Sequence, residues 1–143
     1  MSPKAPKAEI AERTNVGSAA PWEKIVGYSR LVRIGPMIWV TGTTAFLPDG
    51  GHAGEPGDKD AGYTQALQAL VNIERALAEV GATLENVVRT RMFLTNLSRD
   101  RDAVGRAHGE RFSEIRPATS MLGIAALYEP WMLVEIEADA YIA

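Results

Sequence analysis

The groups with the most chemistry to offer stand near the end of the chain, where Glu135, Glu137 and Asp139 alternate with Val134, Ile136, Ala138 and Ala140. In an extended strand such alternation sends the acids to one face and the apolar groups to the other. A carboxylate row of this kind serves acid–base chemistry or forms a solvated, ion-paired polar face, and Arg89 and Arg91 are its natural complements if their strand lies alongside. His108 is a second titratable group suited to neutral pH, as an acid or base or as a hydrogen-bonded structural residue on a helix. His52 falls in a Gly-rich loop and is expected to be exposed. The two histidines are far apart and lack metal-ligand spacing, so neither a metal nor any other cofactor is expected. The absence of cysteine removes disulfides, thiolate nucleophiles and cysteine-ligated metals. Gly50-Gly51-His52-Ala53-Gly54 lacks the lysine and following helix of a phosphate-binding loop.

The elements that must position these groups are legible from periodicity. Leu31–Ile34 and Met37–Gly42 read as two strands joined by a Gly35-Pro36 turn, followed by an exposed loop over residues 47–57. From Asp60 to Val80, Tyr63, Leu67, Leu70, Ile73, Leu77 and Val80 recur at spacings of three and four, which predicts a helix closed by Gly81. Val87–Leu94 predicts a strand and Arg101–Ile115 a second helix that Pro117 terminates. Two final strands, near 120–125 and 133–142, complete a ββαβαββ order. That order predicts an α+β fold, one sheet with both helices on one face. The other face is then left in need of a partner.

A chain of 143 residues without a composition break is expected to form one domain over residues 21–143, preceded by a flexible arm over residues 1–20 whose Lys, Pro, Ala, Ser and Gly cannot bury much surface. Fifteen basic residues against 18 acidic ones give a net charge of −3, with no basic block to track a phosphate backbone, so nucleic acid is not an expected partner. No apolar run approaches the roughly eighteen residues of a membrane span, and no charged-then-apolar leader opens the chain. A cytoplasmic protein without membrane association is the expectation.

Arg116-Pro117-Ala118-Thr119-Ser120, followed by Val134–Ala140, resembles the C-terminal signature of the RidA family, also called YjgF/YER057c/UK114. Gly35–Gly42 is similar to the family's G-x-x-I-x-x-S-G strand, and Gly81–Val88 to its helix-to-strand connection, so the resemblance spans nearly everything after the arm. It implies a chorismate-mutase-like mixed sheet, a homotrimer with pockets between subunits, and hydrolytic deamination of small enamine or imine metabolites. Within it, Glu135 matches the acid that orients the attacking water. Thr41 replaces a serine whose hydroxyl holds a substrate carbonyl or water, and Gly42 permits close backbone approach. Tyr28 matches a pocket-lining tyrosine, a position that an aromatic cover over the strand start would equally explain.

The departures bear on the substrate. Thr119 stands where the family's deaminases carry a carboxylate-binding arginine, Met121 where many carry a cysteine, and Gly105 where a pocket asparagine is found. Losing the charged partner of a buried carboxylate costs about 2–5 kcal/mol, more than tenfold in affinity. A plain 2-imino acid is therefore not the expected substrate. Arg116 lies at an odd offset from Thr119, which in an extended chain turns it to the other face, whereas Arg30 shares a face with Tyr28 if that strand is regular. An ordinary ion pair would also explain Arg30. Pro21–Arg30 resembles family branches that lack the usual arginine, and Ser120 and His108 complete the candidate substrate-binding positions. The alternatives to a deaminase are a trimer that binds a metabolite without turnover and a chaperone-like interaction protein. RNA cleavage, also associated with the family, is disfavoured by the acidic balance and the lack of a paired histidine and lysine.

Overall fold

The computed structural model describes residues 1–6 and 11–143. Among the described residues, six strands and two α-helices follow one another as β1 (Arg13–Val16), β2 (Leu31–Ile34), β3 (Met37–Thr43), α1 (Ala61–Ala78), β4 (Val87–Leu94), α2 (Leu97–Phe112), β5 (Ala118–Gly123) and β6 (Val134–Tyr141), with short helical turns at Glu23–Gly27 and Leu84–Asn86. They build a single mixed sheet in the order β1-β2-β3-β6-β4-β5. Only β4 and β5 run parallel, and α2 supplies the crossover that parallel neighbours need. Both helices pack on one face, α1 over β3 and β6 and α2 over β4 and β5.

Alternation in β6 builds the interface with the helices. Val134, Ile136, Ala138 and Ala140 are essentially fully buried in one cluster with Leu70, Ile73 and Leu77 of α1. The buried stripe of α1 runs through Ala66, Ala69 and Ala76 as well, while Tyr63, Leu67 and Val80 flank it half-buried. Small alanines let the helix lie close to the sheet. Gln65, also inaccessible to solvent, donates from Nε2 to the carbonyls of Gly54 and Trp131 at 2.7 Å each and accepts from the Leu133 N–H at 2.9 Å. One side chain thus ties α1 to the loop after β3 and to the segment before β6.

Three features differ from the expectations of pattern. β1 lies inside the segment read as an arm, of which residues 7–10 fall outside the described residues. Its first three residues are polar and exposed and only Val16 packs against the core, so antiparallel pairing with β2, from Arg13 opposite Ile34 to Val16 opposite Leu31, is its main tie. α2 starts four residues earlier than Arg101 because the Asn96 side chain caps it, accepting from the Arg99 N–H at 3.1 Å. It ends at Phe112, and Arg116 then adopts a left-handed φ of 55° ahead of Pro117.

A bulge interrupts the pairing of β3 with β6. Val40 faces Ala138 and Thr43 faces Ile136, so three steps along β3 match two along β6. The extra residue falls at Thr41-Gly42. Bulges re-aim side chains and often lie beside functional sites.

Candidate functional site

The bulge is where Glu135 finds its seat. A Cβ placed on Gly42 would lie 2.6 Å from the Glu135 carboxyl carbon and 2.8 Å from each carboxyl oxygen, so the acid rests on bare backbone that only glycine provides. Arg30 fixes that backbone as well, its Nη2 donating to the carbonyls of Gly42 at 2.6 Å and Thr41 at 3.2 Å. The Thr43 hydroxyl donates to the Thr41 carbonyl as well, at 2.7 Å. Two side chains therefore hold the irregular turn of chain against the carboxyl.

Charge separates Glu135 from the rest of its row. Glu137 and Asp139 share the Arg91 guanidinium, at 3.3 and 3.4 Å, and are the ion-paired face that alternation allowed. Arg89, opposite Asp139 in the ladder, makes no ion pair among the described residues. Glu135 has no cation within ion-pair distance among the described residues. Burial raises its pKa above the ordinary glutamate value, the neighbouring Glu137 adds to the rise, and Arg30 opposes it. Burial lowers the Arg30 guanidinium from its ordinary value, against the pull of Tyr28, Glu23 and Glu135. The Arg30 Nε is buried without a hydrogen-bond partner.

Tyr28, Thr41, Trp39, Arg91, Glu137 and Asp139 line an open cleft of about 740 Å³ on the sheet face away from the helices. Of the candidates, Tyr28 and Thr41 line this cleft, Gly42, Glu135 and Arg30 meet at the adjoining bulge, and Arg30 also lines a second cavity with Trp22, Thr44, Asn72 and Trp131. Ser120 is in register with Arg91 and so belongs to the same sheet face.

His108 and Thr119 belong elsewhere. Thr90 is fully buried on the helix side of β4, and its hydroxyl meets both the His108 Nε2 and the Thr119 hydroxyl at 2.8 Å. Thr119 is thereby on the helix face of the edge strand β5, and burial lowers the pKa of His108. The eight candidate residues form two sets on opposite faces of the sheet. A single chain does not bring them together.

Pattern reading missed Thr90, which looked like an ordinary strand residue, and misplaced His52. Its ring stacks on Trp131 at 4.0 Å with an interplanar angle of 3°, so it is half-buried where an exposed loop was expected. Phe46 meets the same indole edge-on at 5.2 Å. Among the described residues, no group of three or more His, Cys, Asp or Glu side chains is arranged to hold a metal ion, and no helix is long and apolar enough to cross a membrane.

Comparison with known proteins agrees with the sheet order and the resemblance. The family model described as endoribonuclease L-PSP matches residues 18–142. The uncharacterized protein SCO2049 of Streptomyces coelicolor is 41% identical over 127 residues, 88% of this chain and 90% of the relative. The RutC family protein PYRAB12510 of Pyrococcus abyssi is 30% identical over 114 residues, 80% and 85% of the two chains. Among solved structures, Rv2704 of Mycobacterium tuberculosis, described as a member of the YjgF/YER057c/UK114 family, is 47% identical, with a TM-score of 0.78 over 92% of this chain and 100% of its own. The mixed sheet with its two helices and a match along most of the sequence place this chain in the endoribonuclease L-PSP family, the YjgF/RidA family.

Proposed function

We propose that the protein hydrolyses the C=N bond of a small imine, or of the enamine that tautomerises to it, in a cleft completed when three copies assemble. The observation that carries this reading is the seat of Glu135, a carboxyl with a raised pKa resting on the bare backbone of Gly42, at a bulge whose other residue, Thr41, lines the open cleft. In this mechanism Glu135 takes a proton from water as the oxygen adds to the imine carbon. The nitrogen gains a proton, and the tetrahedral carbinolamine collapses to a carbonyl and ammonia, returning the carboxylate. Thr41 and the backbone at Gly42 hold the reacting group, and Tyr28 walls the cleft. Arg30 acts mainly by holding the bulge, because its Nη2 already serves two carbonyls.

Assembly is needed because Thr119 and His108 lie on the opposite sheet face from Glu135. In a trimer the helix-side edge of one copy would meet the open face of the next and unite the two sets. Thr119, in the arginine's place, favours a second reading, a metabolite-binding trimer without turnover.

The test is ammonia release from freshly generated imines by wild type and Glu135→Gln, with sedimentation to establish the assembly. Loss of about 10²-fold or more in turnover is expected for the variant. Unchanged turnover by Glu135→Gln would remove the assigned role, and saturable binding without turnover would favour the second reading.

A further inference from the structure

Thr90 joins His108 and Thr119 in a chain of hydrogen bonds whose polarity is set by the groups at its two ends. The Thr119 hydroxyl stands 3.1 Å from the Pro117 carbonyl, an oxygen that can only accept. If Thr119 donates there, its contact with Thr90 must run the other way, so Thr90 donates to Thr119 and His108 donates from Nε2 to Thr90. If His108 instead carries its proton on Nδ1, Thr90 donates to Nε2 and Thr119 must donate to Thr90. In both arrangements the single proton of Thr119 is used inside the chain. A protonated His108 enforces the first arrangement. Thr119 is exposed, so what it offers outward is lone pairs alone.

The helix that carries His108 lacks side chains at two positions next to it. Gly105, His108 and Gly109 share one face of α2 by their spacing. A Cβ on Gly105 would meet only the Met121 terminal methyl, at 3.9 Å, and one on Gly109 would meet nothing within 4 Å. The helix wall at these two positions is bare backbone, and no guanidinium contacts Thr119 or Thr90 among the described residues.

We infer that Thr119 is a specificity-determining residue that selects a ligand presenting a hydrogen-bond donor at this position, such as a primary amide or hydroxyl, and disfavours a carboxylate. The inference rests on the proposed function in taking Thr119 to line the completed cleft, but not on Glu135 being a catalyst. A carboxylate is acceptor-only, so it would confront the Thr119 lone pairs directly or draw the proton away from Pro117 or Thr90. A carboxamide of the same shape completes the chain without breaking a bond in it.

The experiment compares a small 2-oxo acid with its primary amide, as unreactive probes, by NMR titration of the full chain with the Thr119 amide and Met121 methyl as reporters. The amide is expected to bind at least about tenfold more tightly, the size of effect that follows when a buried polar group loses its partner. Thr119→Val is expected to erase the preference and Thr119→Arg to reverse it; Thr119 is exposed, so both variants are expected to fold. Equal or tighter binding of the acid by wild type would overturn the inference. So would a preference that survives in Thr119→Val, or the absence of any shift at Thr119 and Met121 with either probe. An amide preference standing beside unchanged turnover in Glu135→Gln would sink the catalytic proposal while leaving this one intact.

Discussion

Gly42→Ala separates the site from the fold more cleanly than removing Glu135 itself. The added methyl would stand 2.6 Å from the Glu135 carboxyl carbon, whereas ordinary contacts begin at 3.4 Å, so the carboxyl must retreat by about 0.8 Å. The obstruction is the end of a flexible side chain and Gly42 does not have a left-handed φ, so the backbone has no reason to move. Stability should change by no more than about 1 kcal/mol, with the loss of glycine's unfolded-state freedom working in the variant's favour. A misplacement of about 1 Å in a catalytic group costs on the order of 10²-fold in rate. The assay pairs thermal unfolding with imine hydrolysis in the same preparation. An unshifted melting temperature with turnover reduced by about two orders of magnitude is the expected result. Turnover within about threefold of wild type would refute the idea that the acid's seat on Gly42 matters. A collapsed melting temperature would show that the clash cannot be relieved by the side chain alone.

The remaining predictions concern pH and the buried amide. Because the folded state raises the Glu135 pKa, it holds that proton more tightly than the unfolded chain, and ionisation erodes stability as pH rises from the ordinary glutamate range through the raised value. Glu135→Gln should therefore melt higher than wild type above that window, with a margin that shrinks as pH falls through it; a pH-independent margin in calorimetry would contradict the burial argument. His108 has the opposite sign, since its lowered pKa makes the unfolded chain take up a proton first as pH falls below the ordinary histidine value. The resulting loss of stability should be blunted in His108→Gln, as judged by denaturant titrations across pH 5–7. Gln65→Leu orphans two carbonyls and one N–H. At about 1–3 kcal/mol for each buried group left unpaired, it should cost at least about 3 kcal/mol, or roughly 6 °C or more in melting temperature; a shift under about 2 °C would mean that water replaces the amide.

Periodicity was a good guide wherever burial decides structure. The stripe through Leu70, Ile73 and Leu77 and the inward row of Val134, Ile136, Ala138 and Ala140 both reach the core, because apolar spacing is the physical cause of that packing. Where hydrogen bonds decide, pattern is silent. β1 is held mainly by its pairing with β2, the start of α2 by one asparagine cap, and His52 by a stack on an indole 79 positions away in sequence. The site follows the same division. Alternation separates Glu135, Glu137 and Asp139 from the core but treats them alike, and only the placement of Arg91 shows which two are neutralised. The polarity of the Thr119 hydroxyl depends on Thr90 and His108, which lie on two other elements, and no local sequence rule reports it.

The bulge also constrains how this chain can change over generations. Before it, Ile38 and Val40 point inward at even positions, whereas after it Thr43, at an odd one, lies opposite the inward Ile136, all of them buried. One surplus residue therefore shifts the phase of the strand. Removing it would restore an unbroken ladder with the same inward groups still facing β6, and would delete the irregular backbone beneath Glu135. A relative lacking that residue would keep the scaffold while losing the seat, so for this site the informative comparison between lineages is strand length at 41–42, ahead of the identity of any side chain.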